Sequence, residues 1–183
     1  MDNAACSYRR FLEGEERAFD EIIKDLFDPL VFFIHRYVQD IHTAEDIAID
    51  AFSDLVVHRH RYNFKVTLKT YVFMLGRSRA LNYIKHRSRM ATVALDGLEN
   101  TLSANELPEE VLLADEQKRA VHAALAALPE EMRAAVHLVY FEELSYEEAA
   151  RVMKKNKKQI DNLLYRAKAL LRTTLNKERD PSL

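Results

Sequence analysis

Along most of the chain, apolar side chains recur at intervals of three and four residues, which is the spacing of one face of an α-helix. In the N-terminal half, this pattern predicts a helix over residues 15–39, a second helix after Thr43 and a third over about residues 68–85. Thr43, followed by Asp46, suits the cap of the second helix. The stretch RYNFKV, between the second and third helices, is predicted to be a loop.

The C-terminal half has the same helical spacing but clearer stop signals. One helix is predicted to end at Leu128, because Pro129 follows it, and a second runs to about Phe141. Two further helices complete this half, a short one that ends near Met153 and a long one that ends near Leu175.

Each of these last two helices begins with residues that suit an N-terminal cap. Ser145 and Glu148 form a capping box, in which the hydroxyl accepts from the Glu148 amide and the carboxylate accepts from the Ser145 amide. Asn156 and Gln159 offer a second capping pair. A short capped helix, a turn of three or four residues and a longer helix is the helix-turn-helix arrangement.

The amino-acid composition also favours helices. Three Gly, four Pro and 31% charged residues in a chain of 183 are typical of long helices with few tight turns. We therefore predict an all-α protein with two helical domains joined by a flexible acidic linker. The predicted domains are residues 1–90 and 112–183, the second containing the helix-turn-helix, and the linker is residues 91–111.

The net charge of −2 conceals three blocks of charge. Residues 55–95 contain nine Lys or Arg and no acid, whereas residues 90–117 contain seven acids and no Lys or Arg. Residues 151–179 carry ten Lys or Arg against two acids. The acidic block has the Gly, Asn, Ser and Pro expected of a linker, and the basic blocks suit nucleic acid.

On a helical wheel, the last helix has an apolar face and an opposite polar face. The polar face holds Lys158, Asp161, Asn162, Tyr165, Ala169 and Arg172. Such a face can lie in a DNA major groove, where amide and guanidinium groups read base edges, while Lys154, Lys155 and Lys157 at the turn suit phosphates. A solvated basic face is the usual alternative for a charge run, and the capped turn before this helix favours DNA.

The acid-free block interleaves its cations with aromatic side chains. Aromatic rings beside Lys and Arg suit single-stranded nucleic acid, because bases stack on the rings while the cations follow the backbone. Phe73 is expected to lie in the core instead. Tyr62 and Phe64, on the predicted loop, are the better candidates for contact with bases.

No pattern in the chain indicates catalysis, a metal or a cofactor. The His residues are scattered, and His58 and His60 would point apart on a helix, which makes them a poor metal pair. The single Cys6 excludes a Cys-rich zinc site, and no Gly-rich phosphate loop or nucleophile motif is present. We expect no enzymatic activity. No apolar run approaches the ~18 residues of a membrane span, and the start lacks a signal-peptide pattern, so we expect a cytoplasmic protein.

Four segments together resemble the bacterial sigma factors of the small, two-domain extracytoplasmic-function class. LAALPEEMRAAVHLVYFEELSYEEAARVM and LLYRAKALLR are similar to the promoter-upstream-binding domain of that family. TAEDIAIDAFSDLVVHRHRY resembles its polymerase-binding helix, and LKTYVFMLGRSRALNYIKHRSR its promoter-melting helix. The order and spacing of these segments carry the resemblance, which spans about residues 11–172.

The resemblance implies an alternative sigma factor that binds core RNA polymerase, directs it to promoter DNA and helps to open the duplex. Binding to core polymerase is implied for Asp46, Asp50 and Phe52. Capture of the non-template strand of the −10 element is implied for Tyr62, Asn63, Phe64, Arg77, Ser78, Asn82 and Lys85. Contact with the −35 element is implied for Lys157, Lys158, Gln159, Asp161, Asn162, Tyr165 and Arg166. The resemblance also implies an anti-sigma factor as a partner.

The chain departs from the family pattern at several of these positions. Tyr71 stands where Trp is usual, Ser78 where Asn is frequent, Ile49 where Gln is common and Lys154 where the turn often has Gly. Asp161 stands at a position of the last helix that is often basic, and its carboxylate can accept from cytosine N4. These differences bear on the preferred DNA sequence.

Two other non-enzymatic functions stay open. A conventional helix-turn-helix regulator, acting without replacing a sigma factor, would need only the second domain. A protein that sequesters a partner would leave the polar face of the last helix unused. Association of the purified chain with core polymerase distinguishes the first of these from a sigma factor.

Overall fold

The computed structural model describes residues 3–94 and 116–179, with side chains described for residues 3–90 and 120–175. All regular structure in these ranges is helical, which confirms the predicted fold class. Contacts group the helices into two units. Residues 95–111 of the predicted linker and the predicted start of the second domain at residue 112 lie outside the described residues. None of the described helices is both long and apolar enough to cross a membrane.

The first unit contains four helices, α1 (Asn3–Leu12), α2 (Arg17–Val38), α3 (Ile41–Val57) and α4 (Leu68–Ala94). Helix α4 continues nine residues beyond the predicted end at residue 85. The loop predicted between α3 and α4 is present.

The core of this unit forms where α2 packs against α1, α3 and α4. Fully or nearly fully buried side chains include Ile22, Leu26, Leu30 and Ile34 from α2, Ala51 and Leu55 from α3, and Val72, Phe73 and Ala80 from α4. At Gly76, a Cβ atom would lie 2.7 Å from Leu30 Cδ1 and 3.1 Å from Ile34 Cδ1. Helices α2 and α4 can approach this closely because position 76 has no side chain.

The cap of α3 differs from the prediction. Asp40 is the capping residue: its backbone is extended, and its side-chain Oδ1 accepts from the Thr43 amide at 2.7 Å. A hydrogen bond with the Thr43 side chain, together with the one from the Thr43 amide, lowers the pKa of the Asp40 carboxyl. The predicted cap at Thr43 is therefore wrong, because Thr43 is the donor and already lies inside the helix.

The second unit contains α5 (Glu116–Ala126), α6 (Glu130–Val136), a π-helical turn (His137–Phe141), α7 (Tyr146–Met153) and α8 (Lys157–Arg179). The helix predicted to run to Phe141 has the right extent, but its last five residues form the wider π turn. His137 Nε2 lies 3.1 Å from Glu142 Oε1, and both side chains are buried.

Both predicted capping pairs are confirmed. The Glu148 amide donates to Ser145 Oγ at 3.2 Å, and the Ser145 amide donates to Glu148 Oε2 at 3.0 Å. Asn156 and Gln159 make the equivalent reciprocal pair, with both distances 2.8 Å. The start of α7 and the start of α8 are thus each defined by side-chain hydrogen bonds.

The turn between α7 and α8 has the hydrogen bonds of a Schellman motif. The Lys155 amide donates to Ala150 O at 2.9 Å, and the Lys154 amide donates to Arg151 O at 3.3 Å. Lys154 occupies the position at which glycine is usual and has a φ of 54°, in the left-handed region. The departure from Gly at this position therefore leaves a β-carbon in a disfavoured backbone conformation.

Candidate nucleic-acid interfaces

The polar face of α8 is exposed as the helical wheel predicts. Ile160, Leu164 and Ala167 are at most 1% exposed and pack into the second unit, which sets the rotation of the helix. The candidate −35 residues Lys158, Asp161, Asn162, Tyr165 and Arg166 are all exposed on the helix surface. Tyr165, at 76% exposure, is the most prominent ring on this face. This surface has the amide, carboxylate and guanidinium groups that can read base edges.

The cations at the start of α8 are not equivalent. Lys157 Nζ lies 2.6 Å from Glu147 Oε1, and this hydrogen bond raises the pKa of Lys157. Lys155 Nζ lies 2.7 Å from Glu131 Oε1. Lys158 forms no ion pair with any side chain that the structure describes, so it is more available to a phosphate than Lys155 or Lys157. Gln159 uses its Oε1 atom for the cap of α8.

One cluster beside α8 was not predicted from the sequence. Lys168 Nζ lies 5.3 Å from the centre of the Tyr140 ring, and a hydrogen bond with Tyr140 raises the pKa of Lys168. Burial raises the pKa of the nearby Tyr146, to which Tyr140 also contributes. No single segment of the sequence indicates this cluster, because its residues come from the π turn, α7 and α8.

The loop between α3 and α4 separates its two candidate aromatics. Tyr62 is only 3% exposed, and its hydroxyl donates to Val66 O at 2.7 Å. Phe64 is half-buried and has a φ of 59°. Asn63 between them is exposed, and its Oδ1 accepts from the Lys65 amide at 3.2 Å. The expectation that Tyr62 is available to a base is wrong for this conformation, because the ring lies in the core, whereas the amide of Asn63 faces outward.

The other candidate −10 residues lie on α4. Asn82 and Lys85 are exposed, and Arg77 and Ser78 are partly exposed. Ser78, Asn82 and Lys85 are spaced by four and three residues, so they share one side of the helix. Together with Asn63, these positions provide amide, hydroxyl and ammonium groups without a neighbouring acid in the sequence.

Arg79 belongs to the acid-free block but is engaged by α3. Its Nη2 atom lies 2.8 Å from Asp54 Oδ2, and its Nη1 atom lies 3.6 Å from Asp50 Oδ2. His58 Nδ1 lies 3.0 Å from Asp54 Oδ1. Burial acts to raise the pKa of Asp54, but the hydrogen bonds and charges of Arg79 and His58 outweigh it and lower the pKa. This network joins the helix proposed for polymerase to the helix proposed for DNA.

Helix α3, which carries the candidate polymerase-binding residues, forms an apolar cleft with α2. The cleft has a volume of about 420 Å³ and is lined by Phe19, Ile23, Phe27, Ile49, Phe52, Ser53, Val56 and Val57. Asp46 and Asp50 are exposed, as are Ile49 at 53% and Val57 at 73%, whereas Phe52 is 3% exposed. Phe52 thus lies against the cleft rather than projecting from it.

Both units are similar to known protein families. A model of Sigma-70 region 2 matches residues 22–90, and a model of Sigma-70 region 4 matches residues 118–171. The RNA polymerase sigma-H factor of Pseudomonas aeruginosa is 30% identical over 169 residues, which are 87% of this chain and 86% of that protein. The chain belongs to the sigma-70 family. The polar face of α8 lies within its region 4, and the loop and the candidate face of α4 lie within its region 2.

Further relatives place this sigma factor in the extracytoplasmic-function (ECF) class. The ECF RNA polymerase sigma factor SigM of Bacillus subtilis is 26% identical over 158 residues, covering 86% of this chain and 95% of that protein. The sigma factor RpoE, solved in complex with the anti-sigma factor NepR from Bartonella quintana, has a TM-score of 0.67 and 19% identity, and covers 86% of this chain and 96% of its own. This solved structure shows a shared fold.

As a member of the ECF class, the chain is an alternative sigma factor that directs transcription initiation. The resemblance seen in the sequence motifs is confirmed by these matches. A conventional helix-turn-helix regulator is not favoured, because such a protein would leave the region 2 unit without a role. Sigma factors are DNA-binding regulatory proteins.

Proposed function

We propose that this sigma factor divides promoter recognition among three surfaces. Helix α3 binds core RNA polymerase, the loop at residues 58–67 and α4 hold the unpaired −10 strand, and α8 reads the −35 duplex. The observation that carries the proposal is the exposed polar face of α8, presented by two capped helix starts in the same chain as a region 2 unit. The proposed domains are residues 1–90 and 112–183, with residues 91–111 as the linker.

For polymerase binding, the proposed contacts are Asp46 and Asp50 with the apolar cleft beside them. A protein surface that combines exposed carboxylates with Ile49 and Val57 suits a helical partner that has both cations and apolar side chains. Phe52 contributes to this surface as part of the cleft, since it is a lining residue.

For the −10 element, the proposed contacts are Asn63 and Phe64 of the loop and the shared side of α4. The exposed Asn63 amide can hydrogen-bond a base edge, and Asn82 and Lys85 can follow the strand. Taking a base out of the stack costs a few kcal/mol, so a preformed loop reduces the additional cost of ordering the protein. Tyr62 supports the loop from within the core.

For the −35 element, Asn162, Tyr165, Arg166 and Asp161 face base edges and Lys158 faces a phosphate in the proposed complex. Duplex affinity then depends steeply on salt, because phosphate neutralisation releases counterions. Lys157 contributes less than Lys158, since it is already paired with Glu147.

We further propose that an anti-sigma factor regulates this chain in the cytoplasm and that the chain has no catalytic activity of its own. The support is the shared fold with RpoE, which was solved with the anti-sigma factor NepR. The exposed Ile49 and Val57 offer apolar surface to such a partner.

The test is transcription in vitro with purified core polymerase, this chain and genomic DNA of its own bacterium. Sequencing the 5′ ends of the transcripts should reveal start sites that share −10 and −35 elements and that are absent without the chain. If the chain fails to confer start-site choice and does not associate with core polymerase, but still binds duplex DNA, it acts as a conventional helix-turn-helix regulator.

A further inference from the structure

Helix α1 contacts the proposed base-capturing loop at Arg59, Tyr62 and Phe64. It lies outside the matched part of region 2, which begins at residue 22. Tyr8 of this helix is completely buried, and its hydroxyl lies 2.9 Å from Leu55 O and 3.0 Å from Arg59 O. These two carbonyls belong to the last turn of α3 and to the start of the loop. A single phenolic proton therefore faces both sides of the junction.

The Tyr8 hydroxyl remains a donor at physiological pH. Burial, with a further contribution from Tyr71, raises the pKa of Tyr8 to about 12, although the charge of Arg59 opposes the shift. The protonated phenol can thus hold the loop entry at all pH values at which transcription takes place.

The aromatic rings extend this contact into the loop. Tyr8 and Tyr62 meet edge to face, with ring centres 5.6 Å apart, and Tyr62 packs on Phe64 at 4.6 Å. Tyr62 also packs on Tyr71 of α4 at 5.1 Å. The buried Tyr62 is therefore the link between α1, the loop and the helix that carries the other −10 candidates.

Two arginines make a reciprocal pair of contacts across the same boundary. The guanidinium of Arg9 in α1 lies 4.9 Å from the centre of the Phe64 ring in the loop. The guanidinium of Arg59 in the loop lies 4.7 Å from the centre of the Phe11 ring in α1. Cation–π contacts of this kind favour an arrangement in which the cation lies over the face of the ring. Phe64 needs such support, because its φ of 59° is disfavoured for a side chain of this size.

We propose that α1 positions the loop for selection of the −10 base, with Tyr8 and Arg9 as positioning residues that do not touch DNA. This inference rests on the proposed role of the loop in base capture. Tyr8 holds the loop entry, and Arg9 holds the Phe64 ring on one side of Asn63. Base selection then depends on residues that belong to a helix outside the matched region.

The test measures base discrimination rather than overall binding. The probes are four fluorescein-labelled non-template strands of a promoter found by the 5′-end sequencing described above, identical except at one −10 base. They are bound to holoenzyme assembled from core polymerase and the full chain. The quantity compared is the affinity ratio between the best and the worst base. A variant that merely unfolds in part lowers the active concentration for all four probes and leaves this ratio unchanged.

Tyr8→Phe removes the hydroxyl and keeps the ring, and Arg9→Gln removes the cation above Phe64. Each variant should reduce the ratio by about three- to tenfold, in line with the loss of one or two hydrogen bonds or a cation–π contact. Association with core polymerase and affinity for a −35 duplex should not change. The matched control is Tyr37→Phe, which alters a buried tyrosine of α2 that meets Phe33 edge to face, with ring centres 5.3 Å apart.

Asn63→Ala separates failure of this inference from failure of the loop's proposed role. If Asn63→Ala changes the ratio and neither Tyr8→Phe nor Arg9→Gln does, α1 is a stabilising helix and the inference is overturned alone. If Asn63→Ala and Phe64→Ala also leave the ratio unchanged, the loop does not select the base and both proposals are overturned. An equal reduction in Tyr37→Phe would likewise overturn a specific role of α1.

Discussion

The two surfaces proposed for DNA are built in opposite ways. On α8, the candidate side chains stand on a regular helix and are exposed, and the buried residues beneath them only set the rotation. In the loop before α4, one candidate aromatic is buried, a second is half-buried, and both are part of a network that reaches α1. A duplex presents its base edges in a groove, so exposed side chains suffice, whereas an unstacked base needs an enclosing surface.

The largest expected effect is on stability, when one tyrosine on each surface is truncated to alanine. Tyr62→Ala should lower the free energy of unfolding of the α1–α4 unit by about 3–5 kcal/mol, the range for a buried aromatic. Tyr165→Ala, at a position 76% exposed, should change stability by less than about 0.5 kcal/mol. Urea unfolding followed by circular dichroism measures both. Tyr62→Phe is the control and should lose only about 1 kcal/mol, for the hydrogen bond to Val66 O. Equal losses at Tyr62 and Tyr165 would contradict the comparison.

A charge reversal on α8 should separate duplex binding from strand binding. Lys158→Glu combined with Arg166→Glu should weaken binding of a −35 duplex by at least about tenfold and reduce its salt dependence. Binding of a single-stranded −10 probe to the holoenzyme should be unaffected, because neither residue lies in the first unit. Fluorescence anisotropy at several salt concentrations measures both.

The control for this reversal is Arg17→Glu combined with Lys24→Glu, which makes the same charge change at exposed positions of α2. If this control weakened binding of the −35 duplex as much as the α8 variant does, net charge rather than the α8 face would determine binding.

Lys154 and Phe64 both have a backbone conformation in the left-handed region. Substituting them tests the comparison with a smaller expected effect. Lys154→Gly should stabilise the second unit by about 1 kcal/mol, because glycine accepts a φ of 54° without strain. Phe64→Gly relieves the same kind of strain but removes the ring that packs on Tyr62, so we expect a net loss of stability. Thermal unfolding measures both.

Lys154→Ala is the matched control, since it removes the same cation and keeps the β-carbon. If Lys154→Ala were as stabilising as Lys154→Gly, the gain would come from charge rather than from the backbone conformation.

The smallest expected effect is on the pH dependence of stability, through the network of Asp54, Arg79 and His58. The pKa of Asp54 is lowered in the folded state, so the ionised carboxylate contributes stability that is present above the unfolded pKa and is lost as pH falls through the folded value. Unfolding of the first unit should therefore become easier below about pH 5, and Asp54→Asn should flatten this dependence. Arg79→Gln should act in the same direction, because it removes the cation that lowers the pKa. An unchanged pH profile in both variants would show that the network is not the cause.

The caps of the second unit could be predicted because they are local. Ser145 and Glu148, like Asn156 and Gln159, are three residues apart and need only their own helix to interact. The polar face of α8 was predictable for the same reason, since it depends on helical periodicity alone. The helix-turn-helix is therefore recognisable from the order of its residues.

The loop could not be predicted in the same way. Whether Tyr62 is exposed depends on Tyr8 and Tyr71, which come from two other helices, and no spacing within RYNFKV contains that information. Asp40 was missed as the cap of α3 because Thr43 also suits a cap by residue type, and only the extended backbone at Asp40 distinguishes them. The contact between Tyr140 and Lys168 likewise requires the packing of separate elements.

The missing side chain at Gly76 has a consequence for the outer side of α4. Gly76 lies against Leu30, and Ser78 and Asn82 follow it on α4. Even a single methyl group there would lie 2.7 Å from Leu30 Cδ1, so the Leu30 side chain or the two helices would have to shift. A hydrogen atom in the interior of the protein thus lets α4 lie against α2, so a larger residue at this hidden position is expected to disturb the side of α4 that we propose faces DNA without altering any residue of that side.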